Sequence, residues 1–100
     1  MSDEPTKLNI AIAYCVRCNF LPRALWMAHE LLHTYADYIA ALELVPAYGG
    51  IFEVRVNGEV AFSNKEEGRY PEVRELKEAI NRYLEPEEVG TLRRHPAKTE

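Results

Sequence analysis

Cysteine is scarce in this chain: two in 100 residues, and both fall within one four-residue window. So close a pair does not look like the staples of a small secreted domain. Long apolar runs are missing too. No stretch approaches the roughly 20 residues that cross a bilayer, so no membrane partner is expected. Positive charge is in deficit, with 12 Lys and Arg against 16 Asp and Glu and a net charge of −4. That balance argues against electrostatic binding to nucleic acid or anionic lipid. Residues 1–7 hold two acids and a proline, which is not the pattern of a secretory signal, and they read as a flexible leader. These absences leave the reducing cytoplasm as the expected compartment. There a C-x-x-C pair is more often redox-active or metal-binding than structural. A chain of this length has material for one modest core.

What is present is a succession of short, well-marked elements. Leu8 to Tyr14 has the length and flanks of a core strand, with Leu8, Ile10, Ile12 and Tyr14 on one face and Asn9, Ala11 and Ala13 on the other. Cys15-Val16-Arg17-Cys18 follows it directly, and Pro22 suits the first turn of a helix over about 22–35. On that helix Leu25, Ala28, Leu32 and Tyr35, widened by Leu21 and Leu31, are expected to face the core. Arg23, His29, Glu30 and His33 are expected to face outward. A second strand is expected over 39–45, parallel to the first through a right-handed crossover. Pro46 to Gly50 reads as a loop. Strand three, 51–56, alternates cleanly, with Phe52, Val54 and Val56 inward. Asn57-Gly58 predicts a tight hairpin into strand four, 59–63. Residues 63–70 read as a charged loop, 71–84 as a second amphipathic helix, and 86–100 as a flexible tail whose removal leaves the domain intact. The expected fold is α/β, βαβββα, a four-stranded mixed sheet with two helices on one face, spanning residues 8–85.

The chemistry concentrates at Cys15 and Cys18. A C-x-x-C spacing lets two sulfurs bond within one turn. A helix N-terminus carries partial positive charge and spare N–H donors, and both favour a thiolate. Arg17 adds a cation between them. Thiolate is the nucleophile of disulfide exchange, and C-x-x-C between a core strand and a helix points to a thioredoxin-like redox site. Zinc is the competing reading, with His29 and His33 as the further ligands. Along a helix starting near Pro22, however, those histidines lie about 10 and 16 Å from its start, too spread for one ion. An inert thiol pair, and a binding module whose cysteines only sense redox state, are further alternatives. Trp26 is either half-buried packing or a contact surface beside the cysteines.

Tyr14-Cys15-Val16-Arg17-Cys18, then Gly50-Ile51-Phe52-Glu53-Val54 with Asn57-Gly58, then Ser63 to Pro71, make this sequence resemble the selenoprotein W-like family. It is most similar to bacterial, all-cysteine members, in which Arg23-Ala24 and Glu30-Leu31 also sit in a familiar place. The resemblance covers about residues 8–84. It implies a thioredoxin-like fold, thiol redox activity, and glutathione or a redox partner protein as the reaction partner. In selenoprotein W the selenocysteine occupies the position of Cys18, whereas thioredoxins attack with the first cysteine. Thioredoxins also place a cis-proline beside the site, where this chain has Tyr48-Gly49-Gly50.

Taken together, Cys15 and Cys18 are the expected catalytic pair, supported by Tyr14 and Arg17. Trp26, Tyr48, Gly49 and Gly50 are candidates for holding substrate, because glycine lets a backbone approach closely. No metal and no bound cofactor are expected, glutathione being a co-substrate. The open sheet face offers a surface for a weak dimer. Solvent access favours Cys15 as the attacking thiol, while the resemblance favours Cys18.

Overall fold

The computed structural model describes residues 6–92. Strand β1 (Leu8–Cys15) leads into helix α1 (Leu21–Thr34), and strands β2 (Ile39–Ala47), β3 (Phe52–Val56) and β4 (Glu59–Ser63) follow. Three further helices complete the chain: α2 (Asn64–Glu67), α3 (Val73–Asn81) and α4 (Pro86–Val89). The sheet order is β2-β1-β3-β4, with β1 and β2 parallel and the other two pairings antiparallel. Asn57 and Gly58 have φ of +53° and +86°, the left-handed pair that a two-residue hairpin needs.

Alternation decides which sheet face is covered. Leu8, Ile10 and Ile12 of β1 and Phe52, Val54 and Val56 of β3 are buried. They form one core with Ala24, Met27 and Leu31 of α1 and Leu76 and Ile80 of α3. Both long helices therefore share one face. Tyr35, fully buried at the end of α1, ties them together. Its hydroxyl lies 2.8 Å from the Lys77 carbonyl and 2.7 Å from Asn81 Oδ1, and burial pushes its pKa up. On the other face Asn9 and Arg55 are exposed and Ala11, Ala13 and Glu53 partly so.

Several expectations need correction. The buried stripe of α1 is Ala24, Met27, Ala28, Leu31 and Thr34, whereas Leu21, Leu25 and Leu32 are 42%, 52% and 46% exposed. The helix carries two overlapping apolar stripes. The one with the small side chains Ala24 and Ala28 lies against the sheet, since small residues permit close approach. Glu30, expected outside, is buried, and its Oε1 accepts a hydrogen bond from Lys77 Nζ at 3.3 Å. Strand β2 runs on through Pro46 to Ala47, which an edge position tolerates because the missing N–H breaks no inner ladder. Residues 64–67, expected as loop, form α2, which stops at Gly68 with φ of +75°. Helix α3 is shorter than the expected 71–84.

The segment after residue 85 also departs from the expected tail. Pro86–Val89 is helical, and Val89 and Leu92 pack on the core. Thr6 donates through its N–H and its hydroxyl to the Glu88 carboxylate, at 3.0 and 2.9 Å. Tyr38 Oη and Thr91 Oγ1 share a 2.7 Å hydrogen bond. Two apolar residues within a polar stretch show no period, so their packing was invisible without the fold. The rest of the expected tail, 93–100, and of the leader, 1–5, lies outside the described residues.

Candidate functional site

Cys15 is the last residue of β1, and main-chain bonds hold it in place from both sides. Its N–H donates to the Ile51 carbonyl at 2.9 Å, and the next N–H, of Val16, donates to the Ala47 carbonyl at 2.9 Å. The extra length of β2 thus reaches the cysteine turn. Cys18 closes that turn, its N–H pointing to the Cys15 carbonyl at 3.4 Å. The Cα atoms are 5.4 Å apart, with the sulfurs at disulfide distance. Asn19 takes φ of +56°, a left-handed conformation asparagine accepts more readily than most residues. It redirects the chain into α1, where the Phe20 carbonyl accepts from the Ala24 N–H at 2.9 Å.

The two sulfurs sit in unlike surroundings. Cys15 is 2% exposed, under the sheet end, while Cys18 is only half-buried. Solvent access therefore favours Cys18 over Cys15: a strand residue anchored to two neighbouring segments is shielded, and the turn residue is partly open. Electrostatics favour an anion at Cys18. No acidic residue occupies the first turn of α1, so its positive end is not offset. Arg17 and Arg23 add full charges on either side in sequence.

The other predicted residues are distributed as follows. Tyr14 is buried, pairing with Phe52 and Pro46 across the sheet, and buttresses the turn from below. Arg17 lies over the exposed Tyr48 ring at 5.7 Å. Gly49 and Gly50 have φ of +83° and +73°, a left-handed conformation that favours glycine. No peptide bond is cis among the described residues. Trp26 is half exposed and stacks on His29 one turn further along α1, at 5.8 Å.

Two contributors are not among the predicted site residues. Asn64 clamps the glycine loop: its Nδ2 donates to the Gly50 carbonyl and its Oδ1 accepts from the Phe52 N–H, both at 2.8 Å. An asparagine right after a strand hints at a capping role, but its partners lie 12 and 14 residues back. Tyr70 is the second. Its ring meets Phe20 edge-on at 4.9 Å, Phe20 meets Phe52 at 6.1 Å, and Arg23 lies over Tyr70 at 5.2 Å. Gly50, Asn64, Lys65, Gly68, Arg69 and Tyr70 line an open cleft of about 380 Å³ against this cluster.

The model of the Rdx family matches residues 9–82. This chain belongs to the Rdx family. Among solved crystal structures, a selenoprotein W-related protein from Vibrio cholerae is 38% identical, with a TM-score of 0.77 over 80% of this chain and all of its own. A Bordetella parapertussis protein is 41% identical, with a TM-score of 0.73 over 80% of this chain and 99% of its own. Migration and invasion enhancer 1 of Mus musculus is 33% identical over 85% of this chain and 72% of its own length. As an Rdx-family member with this sheet order, the chain has a thioredoxin-like fold, with Cys15 and Cys18 at the end of its first strand. No described helix is long and apolar enough to cross a membrane.

Proposed function

We propose that this protein is a small thiol–disulfide oxidoreductase of the reducing cytoplasm, acting on protein or glutathione disulfides. The pairing of one accessible and one shielded sulfur across a strand-to-helix turn carries this reading. Starting from the dithiol, the Cys18 thiolate attacks one sulfur of a substrate disulfide. A Cys18–substrate disulfide forms, and the first substrate thiolate leaves and takes a proton. The Cys15 thiolate then attacks Cys18 Sγ, the second substrate thiol departs, and a Cys15–Cys18 bond remains. Two electrons pass from protein to substrate, and two external thiols such as glutathione return them. Shielding suits Cys15 to the resolving role, since it meets only the adjacent sulfur. Gly49 and Gly50 offer main chain for the substrate to lie against, with Tyr48 and Arg17 beside them.

Equilibration against glutathione buffers tests this. A reversible two-electron couple between Cys15 and Cys18, at about −200 to −300 mV, is expected. A protein that never forms that bond across the range would refute exchange chemistry. The exposed Leu21, Leu25, Trp26 and Leu32 of α1 favour a second reading, a redox-sensitive interaction module without turnover. That module shows partner binding changed by oxidation but no catalytic disulfide reduction.

A further inference from the structure

We propose that the cleft beside the cysteine turn recognises carboxylate groups flanking the substrate disulfide, with Lys65 in its wall and Arg23 and Arg17 flanking it. The inference rests on the exchange reading and names the substrate class. Gly50 forms one wall of the cleft, and the next residue, Ile51, accepts the Cys15 N–H. Tyr70 forms another wall and packs on Phe20, two residues beyond Cys18. The cleft therefore adjoins both ends of the cysteine turn.

Its charge is one-sided. Lys65 and Arg69 line it, and no carboxylate does; Glu66 and Glu67 neighbour Lys65 in α2 but are not part of the wall. An added Cβ at Gly50 would lie 3.4 Å from Lys65 Nζ, so the ammonium already lies across the loop beside Cys15. Arg23 covers Tyr70, and Arg17 covers Tyr48. Arg69, though it lines the cleft, is matched by Glu75, as Arg55 is by Glu53 and Lys77 by Glu30. Among the described residues Lys65, Arg17 and Arg23 have no carboxylate within ion-pair distance. In a chain of net charge −4, three unmatched cations around one turn make a local field that favours anions there. Aromatic faces at Tyr48 and Tyr70 add apolar contact for the stem of an acidic side chain. Oxidised glutathione and a protein segment with acidic residues beside its disulfide share this chemistry. The carboxylates do not react. They hold the disulfide while Cys18 attacks, and the sulfur and electron balance is that of the exchange above.

The test compares single-turnover oxidation of the reduced full-length protein by matched disulfides. These are oxidised glutathione, its carboxyl-amidated form, hydroxyethyl disulfide, and two peptide disulfides with acidic or amidated flanks. Oxidised glutathione or the acidic peptide is expected to react at least about tenfold faster than its amidated counterpart at low salt. The ratio should fall as salt screens the exposed cations. Lys65→Gln should lower the ratio severalfold and Lys65→Arg restore it. A preference shown by the peptide alone assigns the site to protein segments; one shown by glutathione assigns it to the tripeptide as well. Equal rates for acidic and amidated substrates, or a ratio unmoved by Lys65→Gln, overturn the proposal. Reaction with hydroxyethyl disulfide separately checks the exchange chemistry. If no disulfide reacts, titrating the oxidised protein with S-methylglutathione still decides. Amide shifts at Gly50, Lys65 and Tyr70, lost in Lys65→Gln, support the cleft, and their absence overturns it.

Discussion

Cys18 and Cys15 differ in exposure, and under the proposed exchange that difference makes Cys18 the attacking thiol. With Cys15→Ser, the protein is expected to keep a thiol titrating well below the free value of about 8.5 and to trap mixed disulfides at Cys18. Alkylation across pH, with mass analysis of the adducts, measures both. Low-pKa trapping only in Cys18→Ser would reverse the assignment. Glu30 makes a similar point about single side chains. Its sequence position, between His29 and Leu31 on an amphipathic helix, fits either face. Burial beside Lys77 was settled by the docking of α1 on α3. Glu30→Ala strands a partly shielded ammonium and is expected to cost about 2 kcal/mol, below the range for fully buried pairs because Lys77 keeps some solvent. Urea unfolding gives that value. Changing the pair together, Glu30→Leu with Lys77→Met, should recover most of it.

Helix α2 is only four residues long, yet it carries the clamp on the glycine loop. Asn64→Ala removes two hydrogen bonds and should cost about 1–2 kcal/mol. Faster hydrogen exchange at the Phe52 amide and slower disulfide reduction should accompany that loss. Unchanged exchange at Phe52 would show that the strands hold the loop without Asn64. Helix α3 depends on its N-terminal end. Arg69 grips the Glu75 carboxylate with both guanidinium nitrogens, and the Glu72 N–H donates to it at 3.1 Å. These contacts, Arg69 first, hold the Glu75 pKa at about 2 against an ordinary 4.5. A carboxyl with a depressed folded pKa stabilises above its unfolded value and loses that contribution as pH falls through the folded one. Melting temperature should therefore drop between pH 4.5 and 2, with a shallower drop in Glu75→Gln. Glu72 and Glu75 form a capping box at the start of α3, which reading both residues as water-facing did not anticipate. The Arg69 grip is equally hidden in sequence, because it reaches across residues 70–72.

The molecule as a whole closes through its end segments. Thr6 bonds Glu88, Tyr38 bonds Thr91, and Val89 and Leu92 cover the core. Truncation after Glu85 is expected to lower stability by at least about 1 kcal/mol, or about 4–8 °C in a domain of this size. Calorimetry of the truncated chain measures it, and an unchanged melting temperature would mean the segment packs without stabilising.

Strand periodicity, the Asn57-Gly58 turn and the C-x-x-C window are local patterns, and each was legible because neighbours in sequence are its main physical cause. Alternation fixes which side chains share a face, and positive φ at two positions selects the hairpin. From these alone came the four strands, the two long helices, the mixed sheet and the cysteine turn between β1 and α1. Other features depend on contacts between distant segments. Which of two apolar stripes on α1 is buried, and with it Glu30, follows from how closely a helix can dock. The clamp from Asn64, the cluster of Phe20, Phe52 and Tyr70, and the order of exposure of Cys15 and Cys18 follow from strand pairing across the sheet. The packing of residues 86–92 rests on distant partners too, Thr6, Tyr38 and the core. In each case a side chain meets a partner that sequence distance conceals, and only the folded chain brings the two within bonding reach.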